Sequence, residues 1–423
     1  MIRKEWLAFP LVVFCLSQCV RATTVTTASC SLSDVQNAVN SASTGDTVLT
    51  PGPCSVSWST AVTIPSTLGI TINGGGNTTL TNWGFSINQN SSASTRITGF
   101  TFTNSMPAAN QGPITVNGST SSNMGRIDHN TFNDQTDNGT FIWLYGNGPM
   151  LIDHDTFTAC AACEMIHNMA AGAGDNSGWV DNVTPGSPNM VFIETNTFTY
   201  NASGNPAYDY GTAAVQSYYG ARTVVRYNSL YMVHIDQHGT AGMVGARWWE
   251  IYNNTFYTNV ANAAQGNYIA LRGGSGVVFN NTHSGHNQAT GDIDLYEEDS
   301  GTWPLAYQVG SGINGNTNGH NSCSGHTLNS SPAYVWSNTD PDNGGPMVVD
   351  SQSPNIVQLN RDYFAPGSQP SSLSRQELSG DTCSTTYNYT PFTYPFPLDV
   401  NGLPAPGSQP APQAPSNLSA TVQ

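Results

Sequence analysis

The feature that most limits what this chain can fold into is a short word that returns seven times. Aligned on the polar residue before Thr-Phe, its copies read "RITGFTF", "RIDHNTF", "LIDHDTF", "FIETNTF", "VVRYNSL", "EIYNNTF" and "VVFNNTH". The key position holds Phe100, Asn130, Asp155, Asn196, Asn228, Asn254 and Asn281, at spacings of 30, 25, 41, 32, 26 and 27 residues. Three residues earlier stand Ile97, Ile127, Ile152, Ile193, Val225, Ile251 and Val278, all β-branched. Two residues later stand Phe102, Phe132, Phe157, Phe198, Leu230, Phe256 and His283. A period in the twenties with β-branched runs and Gly/Asn/Ser punctuation predicts a solenoid of strands rather than of helices. One coil is too thin to bury its own apolar face, so coils must stack. Asparagines aligned at one turn can then hydrogen-bond along the stack and satisfy the buried turn backbone. The gap of 41 residues before Asn196 leaves room for one further coil.

The ends supply caps. "SLSDVQNAVNSA" (31–42) predicts a short amphipathic helix, with Ser or Asp as N-cap and Val35, Ala38 and Val39 on one face. "GDTVLTPGPCSV" and "AVTIPSTLGITINGGG" then read as strands entering the first coil. This opening resembles the N-terminal cap of pectate-lyase-like right-handed parallel β-helix proteins: a helix, then Gly-Asp-Thr-Val, then Gly-Ile-Thr-Ile-x-Gly. With the Asn ladder, the resemblance covers roughly residues 30–330. It implies an all-β chain, a right-handed parallel β-helix with an N-terminal helical cap. The fold alone does not fix a function, because lyases, hydrolases, esterases and inert adhesins share it.

Beyond about residue 330 the ladder fades. "AYVWSNT", "NIVQLNRDYF" and "YTPFTYPFPL" predict strands and an aromatic-rich C-terminal wrap. The expected organisation is a signal peptide at 1–22 and a β-helix domain at 23–400, followed by a Pro/Ser-rich linker at 401–423. Within the domain the cap spans 23–62, the coils 63–330 and the wrap 331–400. The last ten residues of the linker resemble the first strand of a fibronectin type III module.

"MIRKEWLAFPLVVFCLSQCVRATT" has a basic start, a short apolar run and a small residue near Ala22, the pattern of a secretory signal peptide. A lipoprotein anchor at Cys19 fits poorly with Gln18 before it. No later segment reaches the roughly 20 apolar residues a membrane span needs. Removing residues 1–22 takes away three of the 11 basic residues and one of the 27 acids, leaving eight arginines, no lysine and 26 acids. A net charge near −18 argues against nucleic acid or an anionic membrane as partner. An acidic polysaccharide is also disfavoured unless a cation mediates. The exported chain keeps six cysteines, an even count that reads as disulfides; sequence proximity pairs Cys30 with Cys54, Cys160 with Cys163 and Cys323 with Cys383. Cys160-x-x-Cys163 also admits a redox or zinc reading, though no second pair stands at metal-site spacing.

The candidate site is the column two residues before the ladder: Thr98, Asp128, Asp153, Glu194, Arg226, Tyr252 and Phe279. Alternation with the apolar column points it outward, toward solvent. Coils about 4.8 Å apart would stack three carboxylates with Arg226 next to them, and like charges aligned across strands repel. A solvated acidic face capped by Arg226 is one reading. A calcium site built from Asp128, Asp153 and Glu194 is the other. The second reading resembles pectate lyases, where acids on consecutive coils hold calcium, the calcium bridges to the substrate carboxylate, and a nearby arginine takes the α-proton; the Ile-Asp-His word is similar to theirs. That resemblance implies Arg226 as base or carboxylate clamp. A second cluster, "VHIDQHGTAGMVGARWWEIYNN", adds His238 and Arg247 as assisting groups, beside His234 and Asp236. Its His238-Gly239 is similar to an element of the alginate lyase and chondroitinase B family, but Gln237 stands where that family has arginine, and its lysine has no counterpart. Trp248, Trp249, Tyr252 and Tyr231 are candidate sugar-stacking rings or structural stacks.

The expected function is therefore a secreted, calcium-assisted lyase of a uronic-acid polysaccharide, acting as a monomer. A non-catalytic surface or adhesive carbohydrate-binding β-helix is the alternative. A polygalacturonase-type hydrolase ranks below both, since the chain has no Asp-Asp dipeptide and no Gly-His-Gly to accompany Asn338-Thr339-Asp340.

Overall fold

The computed structural model describes residues 22–89, 94–103, 111–118, 124–134, 140–146, 148–159, 164–170, 183–200, 212–239, 245–258, 267–285, 292–297, 308–310, 331–342, 344–376 and 384–398. Each coil has three faces. A leading strand such as Met150–Asp153 bends at the ladder residue into a trailing strand such as Thr156–Ala159, and a third strand such as Glu164–Met169 closes the coil. Corresponding strands of successive coils pair in parallel along all three faces. The chain is a parallel β-helix, and the crossover rule for parallel strands makes it right-handed.

The bend explains the ladder. The residue before each ladder position has a left-handed backbone: Gly99, His129, His154, Thr195, Tyr227, Asn253, Asn280 and Ser337, with φ from 53° to 75°. That turn sends the ladder side chain into the coil. The Asn130 Oδ1 accepts from the Phe100 backbone N–H, and the same bond recurs from Asn130 to Asp155, Asp155 to Asn196, Asn196 to Asn228, Asn228 to Asn254 and Asn254 to Asn281. Asp155 and Asn196 bond directly, so the 41-residue gap hides no further coil on this face. The ladder also outlasts its expected end, because Asn338 accepts from the Asn281 N–H at 3.0 Å.

Two cores result. Inside the coils run the Ile/Val column and the Phe column, whose rings Phe102, Phe132, Phe157 and Phe198 stack at 4.7–4.9 Å, the spacing of the strands themselves. The N-terminal end is closed by the helix Leu32–Ser41, capped by Ser31 accepting from the Asp34 N–H at 3.2 Å and burying Val35, Ala38 and Val39. Cys30 and Cys54 form a disulfide beside it. The other predicted pairs, Cys160–Cys163 and Cys323–Cys383, lie outside the described residues, as do residues 1–21 of the expected signal peptide and the expected linker at 401–423.

The second core lies outside the leading face and corrects one expectation. The column of Asp128, Asp153, Glu194, Arg226, Tyr252 and Phe279 does point away from the coil interior, but every member is buried. Residues 384–398 cross this face and cover it, packing Tyr389 and Phe396 against Phe192, Trp248, Tyr252, Phe279 and Trp336. Alternation fixes the direction of a side chain relative to its own sheet and says nothing about what a distant segment lays over it.

Candidate functional site in the third-face cleft

The predicted carboxylate stack exists. Asp128 pairs in register with Asp153, Asp153 with Glu194, and Glu194 with Arg226. Each acid, however, holds an arginine. Arg96 grips both oxygens of Asp128, its Nε donating to Oδ1 at 2.6 Å. Arg126 donates to both oxygens of Asp153 at 2.9 and 2.6 Å, and Arg226 Nε donates to Glu194 Oε2 at 2.6 Å. His129 and His154 add Nδ1 contacts to Asp128 and Asp153. Burial alone would raise the Asp128 carboxyl, but Arg96, His129 and Arg126 outweigh it and bring it down to about 2. Calcium needs six to eight oxygen ligands, and here the acid oxygens are turned to guanidinium groups. Asp128, Asp153 and Glu194 do not fit a calcium ion in this arrangement.

Arg226 is fully buried. Its remaining donors go to Tyr252 Oη at 2.8 Å and to the carbonyls of Phe392 and Thr393 at 2.6 and 2.9 Å. Phe396 N–H returns a bond to Glu194 Oε1 at 2.8 Å, and Arg126 Nη1 donates to Leu398 O at 3.0 Å. The charged column is thus the seat of the C-terminal segment. Three predicted stacking rings share this burial, Trp249 in the inner core and Trp248 and Tyr252 in the outer one, while Tyr231 is half-buried and stacks on Tyr257. Arg247 is also buried, just before the strand Trp248–Tyr252.

His238 belongs to a different place. It follows the strand His234–Gln237 on the third face, so the structure does not bring Arg226 and His238 together. The outward column of this face runs Ser86, Thr115, Trp143, His167, Gln216, Asp236, Ala270 and Asp294. Ser86, Thr115 and Trp143 are half-buried here, whereas His167, Gln216, Asp236, Ala270 and Asp294 are buried. A cleft of about 840 Å³ is lined by Trp83, Trp143, Tyr145, His167, Tyr218 and Tyr219 among others. A smaller recess of about 210 Å³ follows along the same face, with Glu164, Gln216, His234, Asp236 and Arg272 on its walls.

Four rings form one row along the cleft. Trp143 stacks on His167 at 3.7 Å, His167 on Tyr218 at 4.7 Å, and Tyr218 on His238 at 4.2 Å. Register places Trp143 against His167, whereas Tyr218, in register with Met169, reaches the His167 ring diagonally. Tyr218 Oη donates to Glu164 Oε1 at 3.2 Å, and His167 Nδ1 contacts Glu164 Oε2. Burial, then the Glu164 charge, pushes the Tyr218 phenol far up, so it stays protonated. Burial likewise takes His238 down to about 4 against the pull of Asp236, so its ring is neutral at pH 7. Its Nδ1 faces the Gly239 carbonyl. A carbonyl only accepts, so Nδ1 carries the proton and Nε2 keeps its lone pair. Arg272 grips both oxygens of Asp236, with Gln216 Nε2 donating to Oδ2 at 2.8 Å. Burial opposes ionisation of Asp236, and Arg272 reverses it, holding the carboxyl below its ordinary value.

Of the predicted cluster, His234 and Asp236 line the recess, and His238 touches the cleft only through its stacking on Tyr218. Trp143, Glu164, His167, Tyr218 and Arg272 were missed, although "FIWLY", "EMIHNM" and "AAVQSYYG" show strand alternation a dozen or so residues after each ladder word.

No protein-family model matches the chain, and no curated protein does. In backbone it is similar to the alginate lyase from Paenibacillus sp. str. FPU-7, at 14% identity and a TM-score of 0.41, over 82% of this chain and 95% of that one. It is also similar to a mutant of the PL6 family alginate lyase AlyGC, at 12% identity and a TM-score of 0.40, over 88% of this chain and 57% of that one.

Proposed function

We propose that the chain is an exported polysaccharide lyase that binds a uronic-acid polymer along the third face and cleaves it by β-elimination. The observation that carries this reading is the Tyr218–His238 pair: a protonated phenol against a neutral imidazole, at the end of an aromatic cleft. β-Elimination needs a base for the proton α to the uronate carboxyl and an acid for the departing glycosidic oxygen. His238 Nε2 takes the first role and Tyr218 Oη the second, with Glu164 orienting the phenol. Arg272 is already engaged by Asp236, so no substrate carboxylate is assigned to it. Trp143 and Tyr145 offer flat faces to neighbouring sugar rings. No step is assigned to calcium, because the carboxylates expected to hold it are neutralised by arginine.

The test is direct. Cleavage by elimination leaves an unsaturated sugar that absorbs in the ultraviolet, so purified protein is screened on pectate, alginate and glycosaminoglycans. Activity on one of them that falls at least about 100-fold in Tyr218→Phe supports the reading. Activity that Tyr218→Phe leaves intact overturns the assignment. A second reading, a carbohydrate-binding β-helix without turnover, is favoured by the exposed ring of Tyr145; saturable binding with no absorbance on any polymer decides for it.

A further inference from the structure

We infer a structural zinc-class metal site inside the C-terminal coils, formed by His283, Asp292 and Asp340. It is independent of the lyase reading and of the third-face cleft. The motive is a break in the inner aromatic column. Phe102, Phe132, Phe157, Phe198, Leu230 and Phe256 fill it coil by coil, and in register with Phe256 the next coil places His283. Thr282 then pairs with Thr339, so Asp340 stands one position on in the following coil, as His283 does in its own. An imidazole and a carboxylate thus occupy consecutive steps of a hydrophobic stack. Packing does not call for either.

Asp292 completes the group. One ligand atom from each of the three side chains lies within 4.8 Å of the others, and all three residues are buried. Bonds of about 2.1 Å to a tetrahedral ion give ligand separations of about 3.4 Å, so small side-chain movements bring these three ligands to bonding distance and leave the fourth position for a water or a second carboxylate oxygen. The independent sign is His283 itself. It is fully buried, yet neither ring nitrogen has a hydrogen-bond partner among the described residues. Nδ1 lies 3.4 Å from Asp340 Oδ2 without the alignment of a hydrogen bond. A buried imidazole with both nitrogens unmatched is costly, and a coordinated ion removes that cost.

The donor set selects the ion. One imidazole nitrogen and two carboxylate oxygens suit zinc and its cobalt substitute, whereas calcium prefers oxygen throughout. Two carboxylates balance a divalent charge. The surroundings fix the ligands as outer-shell partners do: the Val348 N–H donates to Asp292 Oδ2 at 2.6 Å, and Tyr268 stacks on the His283 ring at 4.0 Å. With the group buried, the ion enters as the coils close, so binding is linked to folding.

The full oxidised chain is unfolded in chelator, refolded with or without zinc or cobalt, freed of unbound metal and analysed for metal content and melting temperature. Wild type should retain about one equivalent of zinc, melt several degrees higher than the metal-free form, and show the visible bands of tetrahedral cobalt. His283→Phe, which continues the aromatic column, should bind none and melt alike with and without metal. Asp340→Asn should lose most of the metal and serves if the first variant does not fold. Wild type that retains less than about a tenth of an equivalent after refolding in excess zinc overturns the inference. Equal metal content in wild type and both variants overturns it as well.

Discussion

Arg226 and Glu194 stand on adjacent coils and meet at 2.6 Å, both fully buried, and between them they hold the C-terminal segment by three backbone bonds. A charge pair this deep stabilises little relative to an apolar replacement, but breaking it leaves an uncompensated buried charge. The geometry makes Arg226 a fastening rather than a reagent.

Arg226→Ala is therefore expected to cost about 3–5 kcal/mol of stability. The loss should appear first as release of residues 384–398, detectable as new protease cleavage there at temperatures where the coils persist. Arg226→Lys should be nearly as damaging, because one ammonium cannot replace a planar fork that serves Glu194, Tyr252 and two carbonyls at once. Unchanged melting and unchanged proteolysis in Arg226→Ala would refute this role.

Asp155 is the one acid in the asparagine ladder. Its Oδ1 accepts from Asn130, while its buried Oδ2 has no hydrogen-bond partner among the described residues. Burial, then the charges of Asp128 and Asp153, push its carboxyl well above the ordinary range against the bonds from Asn130. The folded state thus keeps a proton that the unfolded state has lost. Stability from this residue is full below the unfolded value near 4 and is lost as pH rises through the folded value. Asp155→Asn supplies the amide that the other rungs have and removes the titration. It should gain about 1 kcal/mol at neutral pH, with a smaller gain near pH 4, measured by denaturant unfolding at both. A gain that is equal at the two pH values would argue against a protonated Asp155.

Thr195 sits at the left-handed bend with φ of 60°, where Asn253 and Asn280 occupy the equivalent turns. A β-branched residue there is strained by about 1–2 kcal/mol, and Asn tolerates the region better. Thr195→Asn should raise stability by roughly 1 kcal/mol, less the contribution of the exposed Thr195–Tyr394 bond. A lower melting temperature would show that the bond outweighs the strain.

What was legible in the sequence follows from periodicity. The ladder, the Ile/Val column and the Phe column repeat because each coil must present the same shape to the next, so the leading and trailing faces could be read residue by residue. The helix at 32–41 was legible for the same reason, through its cap and its apolar face. Burial of the acid column was not, because it depends on a segment about 200 residues away in the chain, as the Phe396–Glu194 bond shows. The partners Arg96 and Arg126 lay two positions before the same column, in "RITG" and "RIDH", and only strand register reveals that they grip acids on neighbouring coils. The third face escaped because its outward column changes chemistry at every step, from Ser86 to Trp143 to Asp236. A functional surface has no reason to repeat.

The pH profile of cleavage distinguishes the proposed pair from ordinary histidine catalysis. An unperturbed imidazole loses its base form below about 6.5, whereas burial holds His238 near 4. Because the folded value is depressed, the base form persists as pH falls and disappears only near pH 4. Activity on the active polymer should therefore stay flat from neutral pH down to about 5 and collapse around 4. The acidic limb must reflect the reaction and not unfolding, so circular dichroism is followed over the same range. The phenol of Tyr218 is raised rather than lowered, so no alkaline limb from its ionisation should appear below about pH 10. His238→Gln should remove the acidic limb together with at least about 100-fold of the rate, while Trp143→Ala should raise KM more than it lowers kcat. An acidic limb near 6.5, or one that survives His238→Gln with full activity, would place the base elsewhere on the cleft.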